Sequence, residues 1–175
     1  MTLTLQTIID YSTCTEEWGS LTKAIGSDLT TELSIGDVFI SNGLTDALWC
    51  LRCLEPRVRV AAVMPAVKRA SVHTKDHRVH ECIAAIDKWL AGDDTVDLEA
   101  YADTAREASC SASAQAEAAA EAASWAAGSA EWAALAAEAA ECAARAARAA
   151  GEAERKLQEA DLLAMFPPII LKVKQ

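Results

Sequence analysis

At 175 residues the chain fits one compact domain, or one domain with an extension. A formal charge of −10, from 16 basic against 26 acidic residues, argues against ordinary DNA or RNA phosphate binding, which needs a basic face. It suits a basic partner surface, and it also serves plain solubility. Residues 1–10 lack the basic start and apolar core of a signal peptide, and no run reaches the roughly 18 apolar residues that span a bilayer. Six cysteines without scaffold spacing complete the expectation of a cytoplasmic protein with reduced thiols and no membrane association.

Residues 1–9 alternate Thr with Leu, which predicts a short strand or a frayed arm. Thr13 or Thr15 can cap a helix through Trp18, Leu21 and Ile25, stopped at Gly26. Ser34 caps a short helix through Ile35, Val38 and Phe39, and Gly43 ends it. Thr45 then caps a helix carrying Leu48, Trp49, Leu51 and Cys53, which Pro56 stops. Residues 58–72 are apolar, with Lys68 and Arg69 in the last turn, where cations favour the helix dipole. Pro65 predicts a kink there, or a start near Val63. Asp76 caps the next helix, through Val79, Ile83, Ile86, Trp89 and Leu90, and Gly92 closes it before a turn at 93–96.

Residues 97–163 contain no proline, and alanine dominates 111–150. Trp125, Trp132, Ala139 and Ala146 recur every seven residues; Gly128, Leu135, Cys142 and Ala149 fill a second slot of the same heptad. Trp125, Gly128, Trp132, Leu135 and Cys142 are therefore the expected helix-packing positions. Glu117, Glu131, Glu138, Arg145, Glu152 and Glu159 form a charged stripe. One unbroken helix would run about 100 Å at 1.5 Å per residue, far beyond the ~16 Å radius of gyration of a compact domain this size. Folding back is favoured, because faces made only of alanine need a second helix to bury them. The serine-rich 109–113 and Gly128-Ser129 are the candidate bends. The expected architecture is an all-α, multi-helix bundle with a long Ala-rich helical hairpin, or one long helix, in the C-terminal half. Its parts are an N-terminal helical part at 1–96, an Ala-rich part at 97–165 packed on it in one domain, and an apolar tail at 166–175. That tail, Ile169, Ile170, Leu171 and Val173 with Lys172 and Lys174 interleaved, is expected to pack on the body or on a second subunit, and can do so as a short strand.

Three constellations bear on chemistry. His73, His77 and His80, with Asp76 and Glu81, have metal-like spacing, but Thr74-Lys75-Asp76 reads as a break between helices, and Lys75 and Arg78 repel a cation. The region reads as an inter-helix turn with Asp76 capping and His73 near a helix C-terminus. Cys50 and Cys53 form a lone C-x-x-C among Trp49, Leu51 and Leu54, which reads as buried small hydrophobes. The glutamates of 97–163 have no histidine among them and read as a solvated stripe. No phosphate-binding loop, nucleophile elbow or zincin motif occurs. No catalytic residue, metal or cofactor is expected.

The run Gly43-Leu44-Thr45-Asp46-Ala47-Leu48-Trp49-Cys50-Leu51-Arg52 resembles the predicted immunity proteins of bacterial polymorphic-toxin systems, as do Val67-Lys68-Arg69-Ala70-Ser71-Val72-His73, then Asp76 and Arg78, then Ile86, Trp89, Leu90 and Gly92, and the Ala/Trp heptads. Together these cover roughly residues 34–160. The resemblance implies a small all-helical cytoplasmic protein that neutralises an effector by binding it. Related sequences occur in phage, where the same logic silences a host defence system. The candidate partner-binding residues are Asp46, Trp49, Arg52, Arg69, His73, Asp76 and Arg78.

Three classes of function follow. The leading one is a non-enzymatic inhibitor whose partner is a protein effector, a toxin or a defence component. Its phage version is an anti-CRISPR-like inhibitor or a sponge for a nucleotide signal, which needs a basic pocket from Arg52, Arg57, Arg59, Lys68, Arg69 and Arg78. The second is a structural protein that oligomerises through its heptads, with a homodimer the simplest product. The third is an enzyme using the His73–His80 region, which metal analysis would test.

Overall fold

In the computed structural model, which describes residues 2–11, 18–109, 114–128, 139, 142–143 and 151–171, the N-terminal alternation yields only a two-residue strand, β1 (Leu3–Thr4). The chain then turns directly into α1 (Leu5–Tyr11), started by Thr4, whose Oγ1 accepts from the Thr7 N–H at 3.2 Å. A two-residue strand and a short helix thus stand where a short strand or a frayed arm was expected. Leu3, Leu5 and Ile8 become core. β1 pairs antiparallel with β2 (Glu32–Leu33), Leu3 opposite Leu33. Between them lies α2 (Gly19–Ile25), closed at Gly26, whose N–H reaches the Thr22 carbonyl at 2.8 Å. The caps expected at Thr13 and Thr15 lie outside the described residues.

α3 (Ile35–Asn42) opens with a reciprocal cap. Ser34 Oγ accepts from the Asp37 N–H at 3.1 Å, and Asp37 Oδ2 accepts from the Ser34 N–H at 2.8 Å. Gly43, at φ +93°, ends α3 and serves as the N-cap of α4 (Leu44–Cys50). The cap expected at Thr45 is therefore displaced toward the N-terminus: glycine reverses the chain so tightly that no spacer remains. After α4 comes a 3₁₀ turn (Leu51–Cys53), and Pro56 is the first residue of α5 (Pro56–Ala70) rather than only a stop. Proline suits that position because its missing N–H has no helical partner there anyway. Pro65 neither starts nor ends α5; the helix runs through it, with Val60, Val63, Met64, Val67 and Ala70 buried around it. Packing on these side chains outweighs the lost hydrogen bond. A second 3₁₀ turn (Ser71–His73) leads to α6 (His77–Leu90), where Asp76 accepts from the Arg78 N–H at 3.0 Å.

The remaining helices are α7 (Leu98–Ser109), α8 (Ala114–Gly128) and α9 (Gly151–Met165). The fold is all-α, a multi-helix bundle with one small β ladder. α7 and α8 pack side by side, and both rest on α6. A single rod through 97–128 is therefore excluded; of the serine-rich candidate bend at 109–113, all but Ser109 lies outside the described residues. α8 also packs on α5, and α9 packs on α5 and α3. Among the described residues, no helix is long and apolar enough to cross a membrane.

Alanine does the close packing. Ala118, Ala119, Ala120, Ala122, Ala123, Ala126 and Ala127 of α8 are all buried, as are Ala139, Cys142 and Ala143. Cys82 Sγ of α6 sits 3.6 Å from the Ala123 carbonyl oxygen, so the helix backbones approach closely. Trp125, expected in the packing seam, is partly buried and packs against the core; with Gly128 and Glu121 it forms a half-buried edge that Glu117 continues into solvent. Arg106 of α7 covers the Trp125 ring at 5.7 Å. Trp132 and Leu135 lie outside the described residues.

After α9 the chain crosses the start of α3. Phe166 is buried, and the backbone N–H groups of Ile169, Ile170 and Leu171 donate to the Asp37 carboxylate at 3.2, 2.9 and 2.7 Å. The tail thus packs on the body, as an irregular crossing rather than a strand. Gly36 makes this possible: a Cβ there would press on the Phe166 carbonyl and stand 2.9 Å from the Pro168 nitrogen. Both are backbone atoms that cannot rotate away. Gly36→Ala is expected to destabilise the fold by about 1–3 kcal/mol, the usual cost of overpacking, read as a lower urea midpoint.

Candidate partner-binding cleft

A cleft lies where α6 meets the start of α7. It has a volume of about 480 Å³ and is lined by Glu81, Lys88, Asp93, Thr95, Asp97 and Tyr101 with small apolar neighbours. Periodicity builds it. Val79, Cys82, Ile83 and Ile86 turn one face of α6 to the core, which leaves Glu81 and Lys88 on the outer face. The 93–97 turn holds itself in shape, with Asp93 Oδ1 accepting from the Thr95 N–H at 3.1 Å and from its hydroxyl at 2.6 Å. These bonds, helped by nearby Lys88, hold the Asp93 carboxyl below its ordinary value. Asp97 caps the first turn of α7 through the Ala100 N–H at 3.1 Å. Three carboxylates thus face one ammonium. Chemically, the cleft can receive cations and stack a flat group on the partly exposed Tyr101.

The residues singled out from sequence are placed differently. Trp49 packs on Trp18 with ring centroids 5.4 Å apart, and the Arg52 guanidinium lies 4.0 Å from the centroid of the Trp49 ring. Arg52 also donates through Nε to the Trp49 carbonyl at 3.0 Å. Asp46 accepts from the Asn42 amide at 2.8 Å. Asp76 accepts a two-point contact from the Arg78 guanidinium, at 3.0 and 2.7 Å. The bonds from Arg78 pull the Asp76 carboxyl down to about 2. His73 is exposed at the end of its 3₁₀ turn, and His80 Nε2 lies 3.3 Å from the Thr74 carbonyl. Arg69 reaches across to α9, with Nε and Nη2 on the Glu154 carboxylate at 2.9 and 2.8 Å and Nη1 on Asp161 at 2.8 Å. The structure therefore joins Trp49 to Arg52, and Asp76 to Arg78, but does not gather the seven residues into one site.

The thiols are ordinary core groups. Burial pushes Cys50 well up, Cys53 to about 11 and Cys82 to about 12, so none is an activated thiolate near neutral pH. Sequence reasoning weighed Glu81 only beside the histidines and did not single out Asp93, Asp97 or Tyr101 as site residues. The Asp-x-Thr turn at 93–95 was a readable signal, but nothing local says that α7 returns beside α6 to form a cleft wall. The chain matches no protein-family model, and no curated protein or solved structure matches it.

Proposed function

We propose that this chain is a non-catalytic inhibitor that neutralises a cytoplasmic protein effector by covering a basic patch, as an immunity-type or phage anti-defence protein would. One observation carries the reading: many of the described cations face carboxylates of the protein itself, while the cleft carboxylates Glu81, Asp93 and Asp97 are exposed without an ion pair among the described residues. Arg57 faces Asp94, Lys68 faces Asp87, Arg69 faces Glu154 and Asp161, Arg78 faces Asp76, and Arg106 faces Asp103. Four of the six cations that a nucleotide-signal sponge would draw on, Arg57, Lys68, Arg69 and Arg78, are in those pairs, which supports a protein partner over a nucleotide. Glu81, Asp93 and Asp97 make no ion pair among the described residues, and they supply the field that steers a basic partner.

A labelled arginine-rich peptide tests this directly. It is expected to bind the wild type with affinity that falls steeply as salt rises. Glu81→Lys combined with Asp97→Lys is expected to weaken binding about tenfold or more, since like charges then meet across the contact. Glu152→Lys, on α9 and outside the cleft, is the control. Equal loss in the control, or salt-independent binding, would refute the reading.

A further inference from the structure

Residues 166–171 hold to the body through their backbone, with little help from side chains. Asp37 is fully buried. Its Oδ1 accepts from the Ile170 and Leu171 N–H groups, and its Oδ2 from the Ile169 N–H and from both the N–H and hydroxyl of Ser34. Ile169 and Ile170 remain 53% and 41% exposed, so their side chains contribute little to the attachment. Phe166, at 4% exposed, anchors the near end. The floor under the crossing is Gly36, where the absent side chain lets the Phe166 carbonyl and the Pro168 nitrogen lie against the α3 backbone.

Three successive N–H groups converging on one acceptor form a concavity that ordinarily grips an anion. Here the protein supplies the anion from its own interior. What α3 reads is therefore bent backbone whose consecutive N–H groups point to one side, following Pro167-Pro168, and not a particular set of side chains. Beyond Phe166 the attachment depends on a single carboxylate and buries little apolar surface, so it opens at far lower cost than the core.

We infer that the N-terminal turn of α3, with Asp37 and Gly36, is a receptor for bent peptide backbone, occupied in cis by residues 169–171 as a releasable strap. Ser34 keeps the receptor charged and aimed whether or not the strap is in place, because its N–H and hydroxyl bind the same carboxylate.

Hydrogen exchange on the full chain reads the latch. The amides of Ile169, Ile170 and Leu171 are expected to exchange together, on the order of 100-fold slower than in a free peptide of residues 166–175. They are also expected to exchange at least about tenfold faster than the buried amides of α5. The double variant Ile170→Pro/Leu171→Pro removes two strap donors and leaves Ser34 and Asp37 intact. With folding verified by circular dichroism, it is expected to bind a fluorescein-labelled peptide of residues 166–175 in trans. Adding Asp37→Asn should abolish that binding. Strap amides exchanging at the free-peptide rate, or only with global unfolding, would overturn the inference. So would a labelled peptide that ignores the proline variant, or one that binds equally well after Asp37→Asn.

Discussion

Arg69→Ala is expected to remove about 2–4 kcal/mol of stability, visible as a lower urea midpoint at unchanged slope. The physical reason is what the substitution leaves behind. Glu154 is buried, and its two oxygens take parallel N–H bonds from Arg69, with Gln158 adding a third at 3.3 Å. Without Arg69 that carboxylate keeps its charge but loses its partner, and breaking one side of a buried pair costs more than the pair is worth. Partial exposure of Arg69 and Asp161 keeps the figure below the upper end of such measurements. Arg69→Lys should recover only part of the loss, since an ammonium cannot match the fork. Replacing Arg69 and Glu154 together with Met should cost less than Arg69→Ala alone. A residue serving only a partner would show none of this, and stability would stay within about 0.5 kcal/mol of wild type.

Helix boundaries were legible wherever the stopping or starting chemistry is local. Ser34, Asp76, Gly26 and Gly43 act on neighbours within four residues, and each could be read from its own surroundings. Even there the second half of the α3 cap went unread, although Ser34-x-x-Asp37 is a capping-box spacing. The helix start read near Val63 failed because propensity speaks only for an isolated helix, while the buried face of α5 carries it through Pro65. The heptads pointed to tryptophan and glycine as the seam, yet the alanines between them are what let α8 sit against α5, α6 and α7. Bulk marks a position in sequence more loudly than its absence does. The cleft and the strap were beyond reach for another reason. Tyr101 meets Glu81 only because α7 folds back on α6, and Asp37 meets Leu171 across 134 residues. No periodicity encodes such a meeting. The seven residues first assigned to a partner came from the motifs of the resemblance, and most of their polar groups are answered inside the molecule.

Asp37→Asn is expected to be the most damaging conservative change, about 3–5 kcal/mol in chemical denaturation. One carboxylate starts α3 and holds the C-terminal crossing, so five donor contacts lose their charged acceptor at once. The amide nitrogen that replaces one oxygen is itself a donor and would face N–H groups. Gly36→Ala disturbs only the crossing, so Asp37→Asn should exceed it, and the two should not add, since both free the same segment. Acid supplies an independent check. Burial by itself would raise the Asp37 carboxyl, but the N–H groups of Leu171, Ser34, Ile170 and Ile169 outweigh it and hold the group below its ordinary value. A carboxyl lowered in the folded state contributes stability that is complete above the unfolded value of about 3.9 and is lost as pH falls through the folded one. Wild-type stability should therefore decline below about pH 4 more steeply than that of Asp37→Asn, by up to about 1.4 kcal/mol per pH unit, one proton's worth. Parallel acid profiles for the two proteins would mean that the tail amides do not rest on this carboxylate. The crossing at Gly36 would then have to be held by Phe166 alone.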